Sequence, residues 1–134
     1  MFHHVAITVR SIEVARVFYE KFGLQTVHEW SADDGSVKIV QMKLGSMQLE
    51  LFEYASNRNA EKLQMKRANN LEDLGVKHLG FVVDDIEETL AELQQQGVAP
   101  IDQDITNGKT GIKYFFVEDP DGMWVEIVED KRGY

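Results

Sequence analysis

The chain reads as an α+β protein built from two tandem βαβββ modules, and three observations carry that reading. The 20-residue stretch from His4 to Gly23 aligns without a gap on the stretch from His78 to Gly97, at an offset of 74 positions. Each copy passes from an alternating apolar run into an amphipathic helical stripe that ends at glycine. Each half then closes with a hairpin pattern, VKIVQMKLGSMQLELFE in the first and IKYFFVEDPDGMWVEIVE in the second, in which Gln48 to Glu53 aligns on Trp124 to Glu129 at an offset of 76. Only five of the 20 aligned positions are identical, so the pattern carries the repeat more than the identities do.

The elements follow in order. In the opening strands Val5, Ile7 and Val9 share one face and His4, Ala6 and Thr8 the other; in the second copy Leu79, Phe81 and Val83 oppose His78, Gly80 and Val82. The chain turns through Arg10-Ser11 or Asp84-Asp85 into a helix. Val14, Ala15, Phe18, Tyr19 and Phe22 mark the core stripe of the first helix, and Ile86, Leu90 and Leu93 that of the second. Ser11 and Asp85 suit the N-cap, with Glu88 placed as in a capping box, and Gly23 and Gly97 suit the stop. A trio of strands begins near Gln25 to Trp30 and near Ala99 to Asp104. The hairpins turn on Gly45-Ser46 and on Asp119-Pro120-Asp121-Gly122, and the longer second turn accounts for the two extra positions in the offset. The expected organisation is a single domain over residues 1–134, with module 1 about 1–54, a connection over 55–77 containing a helical stretch from about Ala60 to Ala68, and module 2 about 78–130.

Composition narrows the function. With 134 residues and 43% hydrophobic content the chain can bury about two-thirds of its unfolded surface in one core. A formal charge of −9 disfavours nucleic acid, which demands clustered Lys and Arg. Lys62, Lys66 and Arg67 gather locally and could meet an anionic substrate, although a solvated helix face explains them equally well. No run of about 18 apolar residues crosses a membrane, and the N-terminus opens on a strand-like run rather than a basic region and an apolar core, which predicts a cytoplasmic protein with no membrane partner. Zero cysteines exclude disulfides, Fe–S clusters and thiolate zinc, so any metal is held by nitrogen and oxygen.

Strand parity then singles out four residues. On the last strand of each half, Leu49 and Leu51 or Val125 and Ile127 take the core face, which turns Glu50 and Glu126 the other way. A carboxylate flanked by apolar residues is costly to bury unless paired or metal-bound. That arrangement occurs twice, each time with a repeated histidine, His4 or His78, on the neighbouring motif. Two imidazoles and two carboxylates converging on one point suit a single divalent ion, Zn, Ni, Co, Mn or Fe, with coordination positions left for substrate oxygens. The tandem modules are therefore expected to form a curved, barrel-like mixed sheet around a metal site. His3 has core-face parity, and His28 has no counterpart in the second half; both are read as structural or exposed. Tyr114, Phe116 and Trp124 are candidates for a pocket wall, with core packing the commoner role for strand aromatics.

These residues resemble the vicinal oxygen chelate superfamily, which includes glyoxalase I, methylmalonyl-CoA epimerase, extradiol dioxygenases and bleomycin or fosfomycin resistance proteins. The resemblance runs from Phe2 to Glu129 and is carried by HVAITV with His4, LELFE with Glu50, KHLGFVVDDIEE with His78 and FFVEDPDGMWVEIVE with Glu126. It implies an alternating His, Glu, His, Glu ligand set and a homodimer. The full quartet and the DPDG turn are most similar to glyoxalase I, a lyase that isomerises 2-oxoaldehyde hemithioacetals through an enediolate. In that role Glu126 or Glu50 would be the catalytic base acting on a small-molecule substrate. The residues glyoxalase I uses for glutathione have no match here. A methylmalonyl-CoA epimerase-like activity is the first alternative; an extradiol-type dioxygenase or a non-catalytic binding or resistance protein follows.

Overall fold

A computed structural model describes residues 3–62 and 74–133. The chain divides into two compact units, Met1–Lys62 and Leu63–Tyr134. Unit 1 runs β1 (His4–Thr8), α1 (Ile12–Glu20), β2 (Gln25–Ser31), β3 (Val37–Leu44) and β4 (Met47–Tyr54), then a 3-10 turn over Ala55–Asn57. Unit 2 runs β5 (Leu79–Val82), α2 (Ile86–Gln95), β6 (Thr106–Asn107), β7 (Lys113–Glu118) and β8 (Trp124–Glu129). The strands form two four-stranded sheets, ordered β1-β4-β3-β2 and β5-β8-β7-β6. In both, the first strand lies parallel to the last and the other neighbours are antiparallel. This is the expected α+β pair of βαβββ modules, with one mixed sheet in each. Lys66, Arg67 and most of the helical stretch expected over Ala60 to Ala68 lie outside the described residues, as does Phe2; Lys62 is exposed.

Each helix covers one face of its own sheet. Ile12, Ala15, Phe18 and Tyr19 are buried on α1, and Ile86 and Leu93 on α2. Val14 leaves the expected stripe, at 54% exposure, because the buried set at positions 12, 15, 18 and 19 turns position 14 outward. The sheets answer with Val40, Met42, Leu49 and Leu51, and with Phe115, Val117, Val125 and Ile127, all almost wholly buried. Ser11 and Asp85 cap the helices, accepting from Val14 N at 3.4 Å and Glu88 N at 2.8 Å. Gly23 and Gly97 follow them in the left-handed region, φ +85° and +69°, where a side chain would be strained.

A second pair of carboxylates ties each helix to its sheet. Glu53 Oε2 accepts from Ile12 N at 2.8 Å and Glu129 Oε2 accepts from Ile86 N at 3.3 Å, both buried. Their other oxygens meet cations, Arg58 Nε at 3.3 Å and Lys131 Nζ at 3.0 Å. The strand expected over Ala99 to Asp104 is displaced to Thr106–Asn107. Pro100 has no N–H for a ladder, and its carbonyl instead accepts from Gln103 N and Gln94 Nε2 in a tight turn.

Candidate metal centre

The face of each sheet turned away from its helix carries the histidine and glutamate picked out by parity. In unit 1, Leu49 and Leu51 are fully buried under α1, so Glu50 between them projects to the opposite face. Ala6 pairs with Glu50 across β1 and β4, and the His4 Nε2 to Glu50 Oε2 distance is 3.8 Å. In unit 2 the same logic holds: Val125 and Ile127 are buried, Gly80 pairs with Glu126, and His78 Nε2 lies 3.1 Å from Glu126 Oε2. A methyl group added at Gly80 would sit 3.9 Å from Glu126 Oε2, so the small residue at this register leaves the carboxylate its room.

Of the two pairs, His78 with Glu126 has the spacing that two ligands of one divalent ion take. Ligand bonds of about 2.0–2.2 Å set at right angles hold two donor atoms about 3 Å apart. The 3.1 Å pair has that spacing, and the 3.8 Å pair is within an ångström of it. The carboxylates are well shielded, at 16% and 17% side-chain exposure, while the imidazoles reach solvent at 40% and 27%. Among the described residues no group of three or more His, Asp or Glu side chains is gathered closely enough to hold a metal ion. Each unit thus carries a two-donor pair, His4 with Glu50 and His78 with Glu126.

The surroundings of the pairs differ. Across β3 and β4, Gln41 faces Glu50, and its Nε2 donates to Glu50 Oε1 at 2.8 Å. At the corresponding place on β7, Phe116 faces Glu126. Phe116 also meets the His78 ring edge-on at 5.1 Å and packs against Tyr114 and Trp124, so these three aromatics line the sheet beside Glu126. Glu126 Oε1 has no hydrogen-bond partner among the described residues.

Two histidines read as structural or exposed have more specific places. His3 is exposed, and its Nδ1 lies 2.8 Å from His4 Nδ1. With His4 Nδ1–H as the donor, the His4 Nε2 lone pair is left bare on the side of Glu50, the arrangement a metal-binding imidazole requires. A register shift between Thr26 and His28 in β2 pairs His28 with Gln41, which puts it on the same face as Gln41 and Glu50. Simple alternation from Gln25 would have placed it on the helix side. Gln41 and the Glu53 and Glu129 clamps are absent from the sequence-based site, although the two clamps recur at the same 76-residue offset as Glu50 and Glu126.

Comparison with known proteins agrees with this architecture. A family model described as the Glyoxalase/Bleomycin resistance protein/Dioxygenase superfamily matches residues 1–127. The uncharacterized protein YqjC of Bacillus subtilis is 30% identical over 131 residues, spanning 96% of this chain and 91% of its own. The lactoylglutathione lyase of Schizosaccharomyces pombe is 25% identical over 138 residues, which take in 97% of this chain and 45% of that enzyme. The crystal structure of the glyoxalase family protein from Enterococcus faecalis superposes with a TM-score of 0.75 at 32% identity, covering 96% of this chain and 97% of its own. The trypanothione-dependent glyoxalase I of Leishmania major shares the fold, with a TM-score of 0.71 at 22% identity and coverage of 98% and 87%. With the expected pattern of glyoxalase-type modules matched over nearly its whole length, the chain belongs to the Glyoxalase/Bleomycin resistance protein/Dioxygenase superfamily, the vicinal oxygen chelate group.

Proposed function

We propose that the protein is a metal-dependent enzyme of the glyoxalase I type, in which His4, Glu50, His78 and Glu126 hold one divalent ion. The observation that carries the reading is the repetition of one His–Glu pair, at 3.8 and 3.1 Å, on equivalent strands of two modules. The similarity to a lactoylglutathione lyase supports the reaction class. The proposal takes the protein as a cytoplasmic homodimer. Its substrate is a small molecule with adjacent oxygens, such as a 2-oxoaldehyde hemithioacetal.

A divalent ion bound at this site supplies Lewis acidity toward the substrate's neighbouring oxygens. Glu126 is the proton-moving group. Its Oε1 has no protein donor among the described residues, and its cross-strand neighbour is the apolar Phe116, so it can turn toward a substrate carbon. It takes the proton from the carbon bearing sulfur and hydroxyl and returns it to the adjacent carbonyl carbon, while the hydroxyl proton passes to the former carbonyl oxygen. The product is a 2-hydroxythioester, with no net oxidation and no co-reactant. Tyr114, Phe116 and Trp124 line the sheet beside Glu126 and exclude water from one side. Elemental analysis of the purified protein, followed by assay of the metal-loaded form against methylglyoxal hemithioacetals and methylmalonyl-CoA, tests the proposal. Turnover of a hemithioacetal supports it; turnover of methylmalonyl-CoA alone replaces it with the epimerase, and an absence of bound metal removes it.

A further inference from the structure

Gln41 makes a polar contact to the carboxylate of one His–Glu pair that the residue at the matching place of the other pair does not make. Its amide nitrogen donates to Glu50 Oε1 at 2.8 Å, while Glu50 Oε2 is the oxygen nearer His4. The amide stays neutral at every ordinary pH and presents two N–H groups, so it holds the carboxylate without titrating. A glutamate fixed by one oxygen cannot swing about its last torsion, and it meets a cation through the other oxygen alone. At the same register Glu126 faces Phe116, whose side chain carries no N–H or O–H to donate to a carboxylate.

Resting on the metal-holding reading above, we infer that Gln41 is a positioning residue that commits Glu50 to permanent, one-oxygen coordination, while Phe116 at the matching place offers Glu126 Oε1 no such donor and leaves that oxygen for moving a proton. The two carboxylates are thus assigned different tasks by their cross-strand neighbours before substrate arrives. Partners in this position orient a ligand and raise its affinity, and their loss costs about 10–100-fold in metal binding.

The test is a cobalt or zinc titration of the full chain, by competition with a chromophoric chelator, for the wild type and Gln41→Met, which keeps the length of the side chain and removes its donor. The expected result is an affinity loss of about 10–100-fold with an altered visible spectrum of the cobalt form, larger than any fall in kcat at saturating ion. The melting temperature of the ion-free variant checks that the fold is intact. The mirror variant Phe116→Gln, which puts an amide opposite Glu126, keeps the inference testable if Gln41→Met folds poorly; it should lower kcat at least tenfold without weakening ion binding. Unchanged ion affinity in Gln41→Met, or unchanged kcat in Phe116→Gln, overturns the inference and leaves the metal-holding reading standing. A wild type that binds neither ion removes that reading, and the inference with it.

Discussion

Unit 1 and unit 2 share a frame and differ in lining. Both pair their first strand parallel to their last, both set a small residue, Ala6 or Gly80, beside the glutamate, and both clamp the helix start with a buried carboxylate, Glu53 or Glu129. The linings diverge: Gln41 borders Glu50, with His28 beyond it on the same face, whereas Phe116, Tyr114 and Trp124 line the sheet beside Glu126. The frame is dictated by burial, since Leu49, Leu51, Val125 and Ile127 must all lie under a helix. The opposite face is free of that demand, so each unit can equip the same carboxylate differently.

The largest effect should come from breaking this difference at the carboxylates themselves. Glu126→Gln is expected to reduce kcat about 10²–10⁴-fold, the usual worth of a general base, with substrate still bound. Glu50→Gln should act first on ion affinity instead, so the ratio of kcat loss to affinity loss separates the two residues. Tight ligand binding by a wild type without turnover, unaffected by Glu126→Gln, would mark a binding protein rather than a catalyst.

A smaller effect tests what the units share. Glu53→Ala and Glu129→Ala each strip the acceptor from a helix N–H, so each should cost about 1–3 kcal/mol in urea unfolding. The shorter contact, 2.8 Å at Ile12 against 3.3 Å at Ile86, makes Glu53→Ala the costlier of the two. Equal and negligible losses would show that the clamps contribute nothing to the frame.

The smallest effect concerns two carboxylates near the ends of the two sheets, exposed Asp34 and half-buried Asp130. Hydrogen bonds donated by Ser36 hold Asp34 below its ordinary value, and the Arg132 guanidinium holds Asp130 down at about 2 against an ordinary 3.8. A depressed carboxylate favours the folded chain above its unfolded pKa. The Asp130 contribution is therefore complete above about 3.8 and disappears as pH falls toward about 2. Arg132→Ala should move the Asp130 titration upward toward 3.8 in a carboxyl-carbon NMR titration and leave Asp34 where it is.

Parity made much of this legible in the sequence. Leu49-Glu50-Leu51 and Val125-Glu126-Ile127 say which face each side chain takes once the flanking residues are known to be buried, and the repeat says that the two strands are equivalent. What alternation cannot register is an interruption. The irregularity at Val27 reverses the parity of His28, and Pro100 converts an expected strand into a turn that delays β6 to Thr106. Cross-strand neighbours were also hidden. Gln41 and Glu50 are nine positions apart around a hairpin, and their contact follows from the Leu44↔Met47 closure that fixes the register. The Glu53 clamp reaches a backbone N–H 41 positions away, which no local pattern encodes.

The proposed function requires the two unlike His–Glu pairs to share one ion. Ion stoichiometry and affinity, measured by equilibrium dialysis with elemental analysis on the wild type and on His4→Ala, Glu50→Ala, His78→Ala and Glu126→Ala, test it most directly. The account predicts one tightly bound divalent ion per chain in the wild type and a marked weakening of that same site in all four variants. Two independent weak sites, with the unit 1 variants leaving the unit 2 site untouched, would contradict it.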